Sequence, residues 1–205
     1  MARPRGDIEP RVLEAARKRF LEQGVDGASL RKIAEDAGTN IGMIYYYFPT
    51  KEALFDAVVT HAYSIVLRDI EAALAPDVPV AECLRRLSLR IGSLSDEEFD
   101  VIRIVLKEAL VSTERLGGLI KRFSKGHVPL VLATLQRGVA SGELSERVPL
   151  PILAAGSIAI IAVPQFVRRR LAAGVPGLAK MLPPADRLAE ALVSMLLDGV
   201  RGPRP

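Results

Sequence analysis

Tyr45, Tyr46 and Tyr47 stand side by side within residues 37–51, a stretch without one acidic side chain that closes on the cation of Lys51. A phenol both donates and accepts hydrogen bonds, so it suits phosphate oxygens and the edges of bases. In a helix each residue advances about 100°, and three neighbours therefore sweep roughly 200° of surface. They cannot all face one core, and at least one must point outward. The chemistry that fits is contact with a nucleic acid. The rest of the chain offers little else: two histidines, His61 and His127, and one cysteine, Cys83, with no metal-ligand spacing, glycine-rich phosphate loop or serine elbow. No metal and no cofactor is expected. An enzyme is the competing class, and a His61–Cys83 pair would need the fold to bring the two residues together.

Helices must position the tyrosines. Val12, Ala16 and Phe20 form one apolar stripe at i, i+4 and i+8, and Gly24 and Gly27 end it. Ser29 stands at an N-cap position before Leu30, Ile33, Ala34 and Ala37, and Gly38 closes that short helix. Asn40 can cap the next helix, which carries the tyrosines and reaches Phe48. Pro49 stops it, and Thr50 caps a fourth helix from Lys51. Two short helices joined by a glycine turn have the layout of a helix-turn-helix, and also of any small helical bundle. Helical patterns continue over 51–74, 80–94, 97–110, 119–139, 151–173 with a kink at Pro164, and from Asp186 to near Gly199, and Gly142 marks a C-cap. With no short, evenly spaced β-branched runs, the expected fold is all-α.

Charge restrains the nucleic-acid reading. The net charge is +4, and the first 60 residues hold nine Lys or Arg and nine Asp or Glu. Any affinity for DNA must come from where the charges sit. Arg17, Lys18 and Arg19 read as a solvated face. The N-terminus lacks the apolar core of a secretory signal, and a lone cysteine suits a cytoplasmic chain. Residues 148–167 carry no charge and precede Arg168, Arg169 and Arg170, which resembles a membrane span. Pro151 and Pro164 leave only about 18 Å of uninterrupted helix against about 30 Å of hydrocarbon, so a buried helix, and no membrane, is expected. A helical membrane-surface or scaffolding protein is a third reading, and it leaves the tyrosines unexplained.

Residues 29–54, SLRKIAEDAGTNIGMIYYYFPTKEAL, closely resemble the DNA-binding signature of the TetR family of bacterial transcriptional regulators, and VLEAARKRFLEQGVDGAS before them fits the same pattern. Thr39 departs from the family's usual valine, and Tyr47 stands where histidine is common. The resemblance implies two domains. Residues 1–60 would be a three-helix DNA-binding domain with its helix-turn-helix motif at 29–48, and 61–205 a helical effector-binding and dimerisation domain. Helix 41–47 would enter the major groove of double-stranded DNA, with Ile41, Gly42, Met43 and Tyr46 near base edges. Ser29, Tyr45, Tyr47 and Lys51 would hold phosphates, and Arg31 a base or a phosphate. Asn40 belongs to the same set, and Arg3 and Arg5 could form a minor-groove arm. Ile44 and Phe48 would be core.

The same resemblance implies a repressor released from a palindromic operator by a small molecule. Large Ile152, Leu153, Ile158, Ile160 and Ile161 alternate with small Ala154, Ala155, Gly156, Ala159 and Ala162. Packed with Leu188, Leu192, Met195 and Leu196, these last two helices could join a homodimer as a four-helix bundle. Ile65, Phe99, Ile102, Leu106, Phe123, His127 and Leu130 are candidates to line an effector pocket, and their apolar character points to a hydrophobic ligand.

Overall fold

The computed structural model describes residues 8–175, 177 and 180–200. Every regular element among them is helical: α1 (Ile8–Gly27), α2 (Leu30–Asp36), α3 (Ile41–Tyr47), α4 (Lys51–Ala73), α5 (Val80–Gly92), α6 (Asp96–Val111), α7 (Thr113–Phe123), α8 (His127–Ala140), α9 (Leu150–Gly174) and α10 (Ala185–Val200). The chain forms two compact units that do not follow chain order. One gathers Met1–Val66 with Ser95–Arg122, and the other Leu67–Leu94 with Phe123–Pro205. Arg3 and Arg5 lie outside the described residues.

In the first unit the stripe read from α1 becomes the core: Val12, Ala16 and Phe20 are sealed from solvent together with Ile33, Ile44, Leu54 and Phe55. Phe20 and Phe55 meet edge to face, 6.4 Å between centroids. α1 breaks at Gly24, whose φ of 76° only glycine adopts without strain. The break frees the N–H of Val25, which donates to Glu108 Oε1 of α6 at 3.0 Å. α6 starts with a reciprocal cap, Ser95 N–H to Glu98 Oε2 at 2.7 Å and Glu98 N–H to Ser95 Oγ at 3.2 Å.

The sequence pattern merges two helices that the structure separates. Instead of one helix over 119–139, α7 ends at Phe123 and α8 begins at His127. Ser124, Lys125 and Gly126 form the turn, where a helix would gain little from a serine and a glycine. α7 also starts earlier than periodicity suggests, because the Ser112 hydroxyl accepts from Arg115 N–H at 3.3 Å and fixes its first turn.

In the second unit α5 packs against α8, α9 and α10, burying Cys83, Leu84 and Leu87 with Leu135, Ile161 and Leu192. α8 closes on Gly142, whose positive φ supports the Leu144 N–H to Gly138 O bond at 2.9 Å. α9 overturns the length argument drawn from the prolines, since it runs unbroken for 25 residues through Pro164. The Ser88 hydroxyl donates to the Ile161 carbonyl at 3.3 Å, in the turn that the proline disturbs. By length and composition α9 could cross a membrane. Where a buried helix is expected, one face is covered and one is not: Leu153, Ser157, Ile161 and Gln165 are buried, while Ile152, Val163 and Val167 are exposed.

Candidate nucleic-acid interface

The interface is assembled by two short helices and the caps that start them. α2 begins at Ser29, whose backbone is extended and whose side chain makes no cap bond, leaving the hydroxyl for an outside partner. Arg31 and Lys32 follow in the first turn, both exposed and without an ion-pair partner among the described residues. Gly38, with φ of 62°, turns the chain back. Arg11 Nη1 fastens this turn by donating to Ala37 O at 2.6 Å.

α3 starts at Asn40, whose side-chain oxygen accepts from Met43 N–H at 3.0 Å. Named as a DNA contact, Asn40 therefore has a structural duty, which leaves its amide N–H groups and one lone pair of Oδ1 to meet DNA. Gly42 is tied to the same cap: a Cβ there would lie 3.1 Å from Asn40 Oδ1. The glycine keeps the cap uncrowded, as well as leaving the backbone open to approach.

The tyrosine run resolves as geometry requires. Ile44 is fully buried and Phe48 nearly so, while Tyr45 is 51% and Tyr46 77% exposed. Tyr47 is half-buried and meets Tyr46 edge to face, centroids 5.2 Å apart at 87°. Ile41 is exposed and Met43 half-buried at the start of the helix. Lys51 reaches back to the carbonyl of Asp26, 2.8 Å from Nζ. That bond uses one of three ammonium donors and holds the cation at the N-terminus of α4, where Thr50 Oγ1 caps Ala53 N–H at 3.0 Å.

In the basic run of α1, Lys18 is exposed as its sequence suggests, whereas Arg17 and Arg19 are held by carboxylates of other helices. Arg19 holds Asp36 of α2 through two bonds of 2.6 and 3.0 Å, which draws the Asp36 carboxyl below its ordinary range. Arg17 is held by Glu14 and Asp100. Local spacing could not reveal either partner beyond the first turn.

The missed feature is Arg115 of α7, a buried guanidinium that joins four elements. Its Nη1 donates to Glu108 Oε2 at 2.6 Å, its Nη2 to Asp26 Oδ1 at 2.5 Å and to Glu52 Oε1 at 2.6 Å. Hydrogen bonding to Asp26 and then Glu52 raises its pKa above the ordinary arginine value, and Arg115 in turn lowers that of Asp26. Asp26 presents its carboxylate to Arg115 and its carbonyl to Lys51, so the cluster and the candidate phosphate contact share one residue. The partners lie 89, 63 and 7 residues from Arg115, and no spacing rule connects them.

The effector candidates divide between the units. Ile65 lines a cavity of about 510 Å³ in the first unit. Phe99 and Ile102 are half-buried on α6, and Leu106 is exposed there. In the second unit the Phe123 and His127 rings lie 5.0 Å apart, tilted by 52°, with Leu130 half-buried one turn on. Burial pushes the His127 imidazole below the ordinary histidine value.

A pair of short helices with an outward tyrosine face has a shape that a major groove accepts. The family described as bacterial regulatory proteins, tetR family, matches residues 12–58. The chain carries the DNA-binding domain of the tetR family. It is 25% identical over 138 residues to the HTH-type transcriptional regulator YhgD of Bacillus subtilis, covering 67% of this chain and 72% of that one. It is 40% identical over 77 residues to the HTH-type transcriptional repressor NicS of Pseudomonas putida, 37% of this chain and 36% of the relative. The fold extends the likeness past the DNA-binding domain. The transcriptional regulator FadR from Bacillus subtilis, solved in complex with stearoyl-CoA, superimposes with a TM-score of 0.74 at 19% identity, over 94% of this chain and 99% of that chain. The chain thus joins an N-terminal helix-turn-helix domain of the tetR type to a C-terminal helical domain, the layout of DNA-binding transcriptional regulators.

Proposed function

We propose that this protein is a cytoplasmic repressor, a homodimer that reads a palindromic operator and leaves it when a small hydrophobic effector binds. The observation that carries the reading is the partition of α3: Ile44 and Phe48 anchor it while Tyr45 and Tyr46 stand in solvent. Functionally, residues 1–60 form the reading domain and 61–205 the effector and dimer domain. Ile41, Gly42, Met43 and Tyr46 approach bases. Ser29, Arg31, Tyr45, Tyr47 and Lys51 hold phosphates, and the free amide of Asn40 lies beside them.

Support for the dimer comes from α9 and α10. Ile152, Ala155, Ala159, Val163 and Val167 are exposed at helical spacing on α9, and Ala191 and Met195 on α10. An apolar stripe of this length suits a two-fold helix bundle. Half-sites then lie about 34 Å apart, or a multiple of that distance. The effector reading rests on the apolar character of Ile65, Phe99, Ile102, Leu106, Phe123 and Leu130, with His127 as a polar anchor. The effector must bind the DNA-incompetent form more tightly than the competent one, because equal affinity shifts nothing.

A mobility-shift titration on the DNA flanking the protein's own gene, repeated over salt, tests the reading. Specific binding that weakens steeply with salt is expected. Lys51→Ala should weaken all sequences alike and reduce the salt slope by about 1, whereas Met43→Ala should change preference at one base position. No sequence-specific shift at any salt would rule the operator reading out. A thermal-shift screen of apolar small molecules then seeks the effector, since a ligand of the folded state raises its melting temperature.

A further inference from the structure

We propose that Arg115 of α7 is a positioning residue for DNA contact: by holding the carboxylates of Asp26 and Glu52 it keeps them off Lys51, whose ammonium is left to a phosphate. The role given to Lys51 is that of the repressor reading, on which the proposal rests.

Lys51 stands between two acids. Glu52 follows it in the chain, and Asp26 accepts from its Nζ, but through the main-chain carbonyl, at 2.8 Å. A carboxylate is the stronger acceptor for an ammonium, since charge on both partners shortens and strengthens the bond. Here both carboxylates are taken by one guanidinium. Asp26 accepts from Arg115 Nη1 at 3.1 Å and Nη2 at 2.5 Å. Glu52 accepts from Nε at 3.1 Å and Nη2 at 2.6 Å. Each is gripped by two N–H groups of a rigid plane, which fixes its direction as well as its distance. Nη1 also serves Glu108, so every N–H of the guanidinium is in use. The outer sides of Asp26 and Glu52 are open to solvent, and only this fork restrains them. Without it, the Asp26 carboxylate could turn onto the ammonium that its own carbonyl already holds. Glu52 would add a second negative charge beside an approaching phosphate.

The test asks what Lys51 contributes in three backgrounds. Binding of a fluorescein-labelled random-sequence duplex is followed by anisotropy over a range of salt. In the wild type, Lys51→Ala should weaken binding about five- to tenfold near 0.1 M salt and lower the salt slope by about 1, the share of one phosphate. Arg115→Met/Glu108→Gln removes the fork without stranding a buried charge or changing the net charge. There the loss on Lys51→Ala should shrink to about twofold or less, the mark of coupled residues. Adding Asp26→Asn and Glu52→Gln, which keep the main-chain carbonyl and remove both charges, should bring the full loss back. A merely structural role for Arg115 would not be undone by neutralising two exposed acids. Urea melts confirm that each variant folds, and Arg115→Lys, with three donors where five are used, gives the same comparison if the double variant does not. A Lys51→Ala loss that is unchanged without the fork, or that does not return when the acids are neutralised, would overturn the proposal alone. A wild type that binds no DNA at any salt would overturn the repressor reading and the proposal with it.

Discussion

Two regions of the first unit handle polar groups in opposite ways. On the α2–α3 face, Ser29, Arg31, Lys32, Tyr45 and Tyr46 present their polar atoms to solvent. Around Arg115, carboxylates from α1, α4 and α6 converge on one buried guanidinium, with Glu108 sealed in the core at 2% exposed and Asp26 and Glu52 open to solvent on their outer sides. Desolvated charge must be paired internally, since an unpaired one costs several kcal/mol. A face kept for an outside partner must leave its groups uncommitted. The two regions therefore separate what holds the helix-turn-helix domain together from the face that the proposed function assigns to DNA, and Asp26 is where they touch, through its bonds to Arg115 and Lys51.

The largest break should come from Arg115→Met, which strands Glu108 in the core. A loss of about 3–5 kcal/mol in urea unfolding is expected, with much of it recovered in Arg115→Met/Glu108→Gln, whose neutral amide oxygen can still accept from Val25 N–H. A loss as small as a surface mutation would show that the cluster does not hold the domain together. Acid should act on the same region. Asp26 titrates below its ordinary value because of the hydrogen bond from Arg115, so its contribution is present above the unfolded carboxylate range, near pH 4, and disappears as pH falls through the lowered value. In Arg115→Met this part of the acid sensitivity should vanish from the melting profile.

Ile44→Ala sharpens the contrast within one helix. It should cost about 2–5 kcal/mol by opening a cavity. Asn40→Ala should cost about 1 kcal/mol, since it removes the cap on Met43 N–H. Tyr46→Ala should change stability by less than about 0.5 kcal/mol while lowering operator affinity up to about tenfold, the scale of one hydrogen bond. Urea unfolding and operator titration on the same preparations place each variant on both axes. If Tyr46→Ala destabilised the fold as Ile44→Ala does, the division between anchoring and reading residues would fail.

Much of the helix-turn-helix domain was legible because its signals are local. The Ser29, Asn40 and Thr50 positions, the glycine turn and the apolar spacings lie within a few residues of what they control, and α2 and α3 fall on the expected spans. The C-terminal helices were less legible. A missed serine cap and a three-residue turn separate α7 from the helix drawn through it, and Pro164 does not stop α9, where a neighbouring helix supplies a donor. Within the basic run of α1, Lys18 is solvated as its sequence suggests, but Arg17 and Arg19 are not left to solvent. The residues that neutralise Arg17 and Arg19 include Asp100 and Asp36 on other helices.

By itself, then, the sequence determined that the chain is helical, where the helix-turn-helix lies, and that three adjacent tyrosines cannot share a core. These follow from the 3.6-residue period and from caps that act over one turn. Only the tertiary structure decided which tyrosine stands furthest out, that Asn40 is bound to its own helix, and that Arg115 ties Asp26, Glu52 and Glu108 together. Burial and charge pairing depend on which surfaces meet, and helices 63 and 89 residues apart meet only when the chain has packed.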